Sequence, residues 1–321
     1  MATVAPVLDD RPIAVLIPVG PGATERDRLQ DVIESISYYE TERRIEVLIV
    51  EDVSPSRDFA LGIRGGPNVF ITEIPNPRHG AGCGWSGGLA VGVTHGLQWL
   101  VRNRDPAFVL RLDTDSLVIA PFTDQILHAF AKRPGVGIIG THRRSARGSI
   151  RDPGHNRSLA DRQRKLLRPV ATWFRELKLR GLQLSMVGHW RLLRETLESA
   201  MANGYEIGEF VQGGGYAIHR EALTAMDSRG LLDVPRRWIR APFGEDVAVS
   251  VCVMAAGHKL GGAVDDGEPF AVESEGLSDT PERLIQRGFS VIHALKKDRQ
   301  HSESDIRAYF RAIRAGDRGS P

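Results

Sequence analysis

The 321-residue sequence predicts an α/β fold in which a mixed, mainly parallel sheet carries helices on both faces. Continuous apolar runs typical of buried strands occur in residues 11–20, RPIAVLIPVG, and residues 43–54, RRIEVLIVEDVS. Between them, residues 27–39 carry apolar side chains at helical spacing. An alternation of this kind predicts parallel strands joined by crossover helices.

The rest of the chain continues the alternation. Residues 68–75 predict a third, shorter strand, residues 88–101 a helix, and residues 106–116, PAFVLRLDTDS, a fourth strand. The second half adds a strand and helix at 209–223, a buried helix at 244–260, short strands at 258–266 and 269–274, and a closing amphipathic helix at 302–316.

Composition limits the class of protein. With 41% hydrophobic and 26% charged residues the chain can bury a core, and its net charge of +2 gives no reason to expect a nucleic-acid partner. The two cysteines, Cys83 and Cys252, argue against a disulfide framework and fit a reducing compartment. Because neither a signal peptide nor an apolar run of roughly 18 residues is visible, we expect a soluble, cytoplasmic protein.

Residues 142–195 differ from the rest, with fourteen Lys or Arg against four acids and a helical pattern. One interpretation is a solvated helical insertion with a basic outer face. The other is a surface that attracts an anionic acceptor or the headgroups of an anionic membrane. The sequence leaves both open.

Acidic residues mark the ends of two predicted strands. Glu51 and Asp52 end the second strand, where they either accept hydrogen bonds from a ligand's base or ribose or simply shape a turn. Asp113 and Asp115 flank Thr114 at the end of the fourth strand. Two carboxylates so close repel each other unless a cation lies between them, so this pair predicts a Mg²⁺ or Mn²⁺ site.

A further acidic pair, Glu245 and Asp246, opens the helix at 244–260. One role is to complement the helix dipole, which is favourable by roughly 0.3–1 kcal/mol. The preceding loop, WIRAPFG at 238–244, offers aromatic residues and glycine where a substrate could bind. A carboxylate beside such a loop can act as general base for a hydroxyl nucleophile.

The order of these features resembles that of the family 2 glycosyltransferases, the inverting enzymes of the GT-A fold, over roughly residues 12–262. In the first half of the chain, IPVG is similar to the family's first-strand proline and IVEDVSP is similar to its V-D-D-x-S. NPRHGAGCGWSGGLAVG is similar to N-x-G-x-x-x-A-R-N-x-G, and LDTDS is similar to D-x-D. In the second half, QGGGYAIHREAL is similar to G-G-x-x-x-x-R-R-E-A-L, and GEDVAVSVCVMAAGHKL is similar to E-D-x-x-L-x-x-R-x-x-x-x-G-Y. Each match is weak alone, but six in the family's order form a specific pattern.

The resemblance implies a single GT-A domain over residues 1–321. Its parts would be a nucleotide-sugar-binding half at 12–120, the basic helical insertion at 142–205, an acceptor and catalytic half at 206–265, and a C-terminal extension at 266–321. The implied reaction transfers a sugar from a nucleoside-diphosphate sugar, usually a UDP sugar, to an acceptor hydroxyl with inversion and with a divalent metal. The acceptor would be a small molecule, a glycan or a lipid-linked compound.

The resemblance also implies roles for individual residues. On the nucleotide side, Pro18, Val19 and Glu51 would contact the base, Asp52 would support the neighbouring loop, and Gly80 would lie in the donor-binding glycine loop. Asp113 would contact the ribose or the metal, and Asp115 would ligate the metal. Gly213 and Gly214 would let the backbone approach the donor sugar, and Asp246 would be the general base with Glu245 beside it. The pattern departs from the family at Glu51, which replaces an aspartate, and at Trp85 and Ser86, which replace Arg-Asn.

Candidates remain for a third metal ligand and for acceptor contacts. Many metal-dependent GT-A enzymes use a later histidine, and His293 is the first candidate, followed by His258 and His301. Trp190 and Trp238 could stack on an acceptor sugar, although core packing explains either residue equally well.

Three other functions are weaker interpretations. Residues 82–87, GCGWSG, match the G-x-G-x-x-G of NAD-dependent dehydrogenases, but two predicted strands precede them and the next acid, Asp113, follows at more than the expected ~20 residues. Residues 19–29 echo the glycine loop of sugar nucleotidyltransferases, which leaves Glu245 and Asp246 unexplained. A non-catalytic nucleotide-sugar-binding protein would not need both acidic pairs.

Overall fold

The computed structural model describes residues 11–52, 62–78, 84–154, 157–158, 184–233, 238 and 244–316. For residues 84–86 and 184–191 it describes the backbone alone. Gly80 and residues 159–183, which belong to the basic insertion, lie outside the described residues.

The strands of the described ranges are β1 (Ile13–Val19), β2 (Ile45–Glu51), β3 (Val69–Pro75), β4 (Phe108–Leu112), β5 (Ser116–Val118), β6 (Val136–Gly140), β7 (Gly215–His219), β8 (Lys259–Gly262), β9 (Phe270–Val272) and β10 (Val291–His293). Seven of them form the central sheet in the order β3-β2-β1-β4-β7-β6-β8. β7 is antiparallel to its neighbours β4 and β6, whereas the other neighbouring pairs are parallel. A small second sheet has the order β5-β10-β9.

The helices of the described ranges are α1 (Glu25–Tyr39), α2 (Gly84–Asn103), α3 (Thr123–Ala131), α4 (Leu184–Ala202), α5 (Arg220–Ser228), α6 (Glu245–Ala255), α7 (Pro281–Gln286) and α8 (Glu303–Ala315), with a 3₁₀ turn at Leu295–Lys297. Alternate side chains of β1 enter two separate cores. Ile13, Val15 and Ile17 pack with α1, while Ala14 and Leu16 pack with α2 and α6. The predicted α/β fold, with a mixed, mainly parallel sheet covered on both faces, is therefore confirmed.

The closing helix α8 is fastened to α1 by ion pairs. Asp31 of α1 is buried and contacts Arg307 at 2.8 Å, Arg311 at 3.1 Å and Arg314 at 2.5 Å. Arg307 also donates to the carbonyl of Thr114 at 2.8 Å, so α8 supports the turn that carries Asp113 and Asp115. Within the described ranges, no helix combines the length and apolar character needed to cross a membrane.

Candidate active site

The carboxyl ends of the first two strands lie side by side at one edge of the sheet. Val19 pairs with Glu51, and the backbone N–H of Asp52 donates to the carbonyl of Val19 at 2.9 Å. Pro18, Val19 and Asp52 line a cavity of about 550 Å³, hereafter the strand-end cavity. Glu51 is buried and does not belong to the lining of this cavity.

Asp52 contacts the loop that follows β3. It forms an ion pair with Arg78 from that loop, and both side chains line the strand-end cavity. The amide of Asn76 in the same loop donates to the carbonyl of Gly88 in α2 at 3.0 Å. The loop is thereby held between β2 and α2, and Asp52 stands where it can support the loop.

Three predicted ligands come together at the end of β4. Asp113 and Asp115 face His293 at the end of β10, and the possible ligand atoms of the three lie within 4.8 Å of one another. His293 Nε2 is 3.5 Å from Asp113 Oδ2 and 3.4 Å from Asp115 Oδ1. We call these residues the Asp–Asp–His cluster. Of the three candidate histidines, His293 is the one that joins the two aspartates.

The chemistry of the cluster fits a divalent metal. His293 Nδ1 lies 2.8 Å from the carbonyl of Glu273, which can only accept, so Nδ1 carries a proton and Nε2 can offer a lone pair to the cluster once its own proton is displaced. Asp115 Oδ1 is buried, and His293 Nε2 lies 3.4 Å from it without forming a well-aligned hydrogen bond. A buried carboxylate oxygen, a second carboxylate and an imidazole together form a suitable donor set for Mg²⁺ or Mn²⁺.

The charges of the cluster shift one another's pKa. Burial would raise the pKa of Asp113, but Arg111 and His293 hold it well below its usual value. Burial likewise opposes ionisation of Asp115, and its contact with His293 lowers that pKa. For His293, burial lowers the pKa, but the two carboxylates outweigh it and raise the pKa to about 9. Both carboxylates are therefore ionised at neutral pH.

Two glycines border the cluster at the start of β7. Gly214 has a φ of +97° and lies against the ring of His293. A Cβ at Gly213 would lie 3.1 Å from Glu245 Oε2. The resemblance implies that both glycines let the backbone approach a donor sugar. In the structure, Gly214 lies close to His293 and Gly213 lies close to Glu245.

Glu245 and Asp246, the acidic pair at the start of α6, lie in different environments. Asp246 Oδ2 accepts from the N–H of Gly213 at 3.2 Å and Oδ1 from the N–H of Val247 at 2.9 Å, while burial raises the pKa of Asp246. Glu245 is buried, and its Oε1 accepts from the hydroxyl of Tyr216 at 3.0 Å. Burial raises the pKa of Glu245 to about 7 despite the opposing effect of Arg111.

The acidic pair and the cluster share a second cavity of about 480 Å³, hereafter the α6 cavity. It is lined by Gln212, Gly213, Gly244, Glu245, Asp246, Ser274, His293 and Lys297, together with Leu89, Asp113, Asp115 and Lys296, which also line the strand-end cavity. Lys296 Nζ lies 3.2 Å from Asp115 Oδ2. The Asp–Asp–His cluster thus stands at the junction of two cavities.

Arg111 was not predicted as a site residue from the sequence. It is 0% exposed within β4 and forms ion pairs with Asp113 and Glu245. The available signal was an arginine in the otherwise apolar strand FVLRL, two residues before Asp113. A charge inside a buried strand needs carboxylate partners, which makes such an arginine a candidate for the site.

The remaining candidates lie elsewhere. Trp238 is 1% exposed and packs in the core with α6, as its alternative interpretation expects, so in this structure it presents no ring face to a sugar. Trp190 belongs to α4, where the backbone alone is described. His258 precedes β8, and His301 lines a separate cavity near Asp298.

No protein-family model and no curated protein matches this chain. Among solved structures it is similar to the apo structure of WbbM, a bifunctional glycosyltransferase, with a TM-score of 0.48 and 13% sequence identity. The match covers 96% of this chain and 50% of the other, so the chain spans about half the length of that structure.

Proposed function

We propose that this protein is an inverting, metal-dependent glycosyltransferase of the GT-A type. The donor would be a nucleoside-diphosphate sugar, in the first instance a UDP sugar, and the acceptor a hydroxyl group. One observation carries the proposal: the Asp–Asp–His cluster lies between the strand-end cavity and the α6 cavity that contains Asp246. A diphosphate at the cluster would place the nucleotide in the first cavity and the sugar in the second.

The donor diphosphate would meet positive charge at this junction. Asp113, Asp115 and His293 would hold the metal ion, which when bound stabilises the negative charge of the departing nucleoside diphosphate. Lys296 supplies a second positive charge because it lines both cavities and lies 3.2 Å from Asp115. A diphosphate there would be contacted by an ammonium group that Asp115 already positions.

The nucleotide would occupy the strand-end cavity. Pro18 and Val19 offer backbone and apolar surface to a base at the end of β1, and the Asp52–Arg78 ion pair forms a polar wall. Glu51 would act indirectly, because it is buried and does not line that cavity.

Transfer would proceed by a single displacement at the anomeric carbon. Asp246 takes the proton of the acceptor hydroxyl as the new oxygen–carbon bond forms and the bond to the leaving phosphate oxygen breaks, which inverts the anomeric configuration. The N–H groups of Gly213 and Val247 orient the carboxylate of Asp246. Burial raises the pKa of Asp246 and so makes it a stronger base.

The acceptor is proposed only as a class: a small molecule, a glycan or a lipid-linked compound that carries the hydroxyl. A peripheral contact of the basic segment 142–195 with anionic membrane stays a prediction from its fourteen basic residues.

A thermal-shift screen tests the proposal. The purified protein is heated with nucleoside diphosphates, nucleotide sugars or NAD(H), each with and without Mn²⁺, because a ligand that binds the native state raises the melting temperature. We expect a nucleotide sugar to stabilise the protein more strongly with Mn²⁺ than without it.

Two variants identify the site in this screen. Asp115→Asn should lose the Mn²⁺-dependent part of the shift, whereas Asp265→Asn, at an exposed acid away from the cluster, should keep it. Stabilisation by NAD(H) and by no nucleotide sugar would overturn the proposed function.

A further inference from the structure

Arg111 is a fully buried cation in the central sheet. It lies on β4 between the apolar residues Leu110 and Leu112 and is 0% exposed. Removing a guanidinium group from water is costly unless carboxylates surround it in good geometry. The partners that offset this cost therefore indicate what Arg111 does.

Those partners belong to two different parts of the site. Arg111 Nη2 lies 2.8 Å from Asp113 Oδ1, and its Nε lies 3.1 Å from Glu245 Oε1. Tyr216, the β7 residue paired with Arg111, donates its hydroxyl to the same oxygen of Glu245 at 3.0 Å. One guanidinium group thus connects the Asp–Asp–His cluster to the first turn of α6.

The two carboxylate oxygens of Asp113 have different partners. Oδ1 faces Arg111 at 2.8 Å, whereas Oδ2 faces His293 Nε2 at 3.5 Å. A carboxylate held on one side by a guanidinium group presents its other oxygen in a fixed direction. Asp113 therefore has a single oxygen, Oδ2, directed at His293.

We infer that Arg111 is a positioning residue for the metal and the base, an inference that rests on the proposed function. Its contact with Asp113 Oδ1 leaves Oδ2 alone to ligate the metal. Its contact with Glu245 fixes the first turn of α6, which carries Asp246, relative to that metal. Arg111 pairs with the two carboxylates through two different nitrogens, Nη2 and Nε, whereas an ammonium group offers a single nitrogen.

Mn²⁺ titration of the free protein tests this inference without any turnover. Wild type, Arg111→Lys, Arg111→Gln and Tyr216→Phe are compared by calorimetry, and circular dichroism verifies that each is folded. We expect both Arg111 variants to bind Mn²⁺ about 10- to 100-fold more weakly, the usual effect of removing a group that orients a metal ligand. Tyr216→Phe is the matched control: it removes a contact with Glu245 but none with Asp113, and should keep wild-type affinity.

Wild-type Mn²⁺ affinity in the folded Arg111 variants would overturn this inference alone. If the variants do not fold, a crystal structure of the Mn²⁺-loaded wild type decides, because ligation through both oxygens of Asp113 contradicts the inference and ligation through Oδ2 supports it. A wild-type protein that binds no Mn²⁺ at the cluster contradicts the metal-dependent function itself.

Discussion

His293 packs directly against Gly214. A Cβ at Gly214 would lie 2.5 Å from ring atoms of His293, and the φ of +97° at Gly214 is one that residues with a side chain rarely adopt. The carbonyl of Gly214 also accepts the N–H of Asp113 at 3.1 Å. One glycine therefore sets the positions of two candidate metal ligands.

Gly214→Ala should damage the Asp–Asp–His cluster. The added methyl group must displace His293, and the left-handed backbone costs about 1–3 kcal/mol, so we expect a lower free energy of unfolding and Mn²⁺ affinity reduced by at least about tenfold. Urea unfolding and Mn²⁺ titration measure the two effects. Gly262→Ala is the control, because a Cβ there meets nothing within 4 Å. Unchanged Mn²⁺ affinity in Gly214→Ala would show that the cluster does not bind the metal.

Asp246→Asn should abolish turnover and leave donor binding intact. An amide cannot take the proton of the acceptor hydroxyl, and loss of a general base typically lowers the rate by about 10²–10⁴-fold. Transfer from the donor found by the thermal-shift screen gives kcat, and calorimetry gives the nucleotide affinity.

Glu221→Gln is the matched control for Asp246→Asn. Glu221 is also an acid in the first turn of a helix, but its side chain is exposed, so a helix-dipole effect would appear in both variants. Wild-type turnover in Asp246→Asn would rule out Asp246 as the base.

Lys296→Met should weaken binding of the nucleoside diphosphate. Hydrogen bonds to charged groups contribute about 1.5–3 kcal/mol, which corresponds to a loss of affinity of roughly 10- to 150-fold. Lys297→Met is the control, because Lys297 lines the α6 cavity but not the strand-end cavity. Equal nucleotide affinity in the two variants, measured by calorimetry with Mn²⁺ present, would place the diphosphate elsewhere.

Metal affinity should rise with pH between about 6 and 8. The contacts with Asp113 and Asp115 raise the pKa of His293 to about 9, so the metal must displace a proton from Nε2 throughout this range. The pKa values of both aspartates are lowered, so neither adds a proton to this exchange. We expect about a tenfold gain in affinity per pH unit, with one proton released per metal bound. An affinity for Mg²⁺ that is flat over this range, measured in two buffers of different ionisation enthalpy, would exclude His293 as a ligand.

The longer elements of the fold could be predicted from the sequence. β1 to β4, α1, α2, α6 and α8 all correspond to predicted segments, since each is long enough to show apolar runs or helical spacing. Three strands were not predicted: β5 and β10, which have three residues each, and β6, whose five residues include two glycines. α3 was also missed, although its buried residues Ile126, Ala129 and Phe130 lie at helical spacing.

Only part of the candidate site could be predicted from the sequence. Asp113, Asp115 and His293 were all proposed as ligands, and the structure brings them within 4.8 Å. Trp238 could not be assigned, because the sequence of a loop does not show whether a tryptophan in it is buried or exposed. Arg111 could not be assigned either, because the local sequence shows a charge in an apolar strand but does not show which carboxylates pair with it.

The sequence by itself determined which segments are buried, which strands end in carboxylates, and which helix begins with an acidic pair. Those properties are encoded in consecutive residues, where periodicity and local charge can be read directly. Only the tertiary structure decided that His293 faces Asp113 and Asp115, that Gly214 must be glycine beside it, and that Arg111 joins Asp113 to Glu245. Apart from the Arg111–Asp113 pair, these contacts join residues far apart in the chain, and their positions are set by the packing of β4, β7, β10 and α6 around one sheet edge.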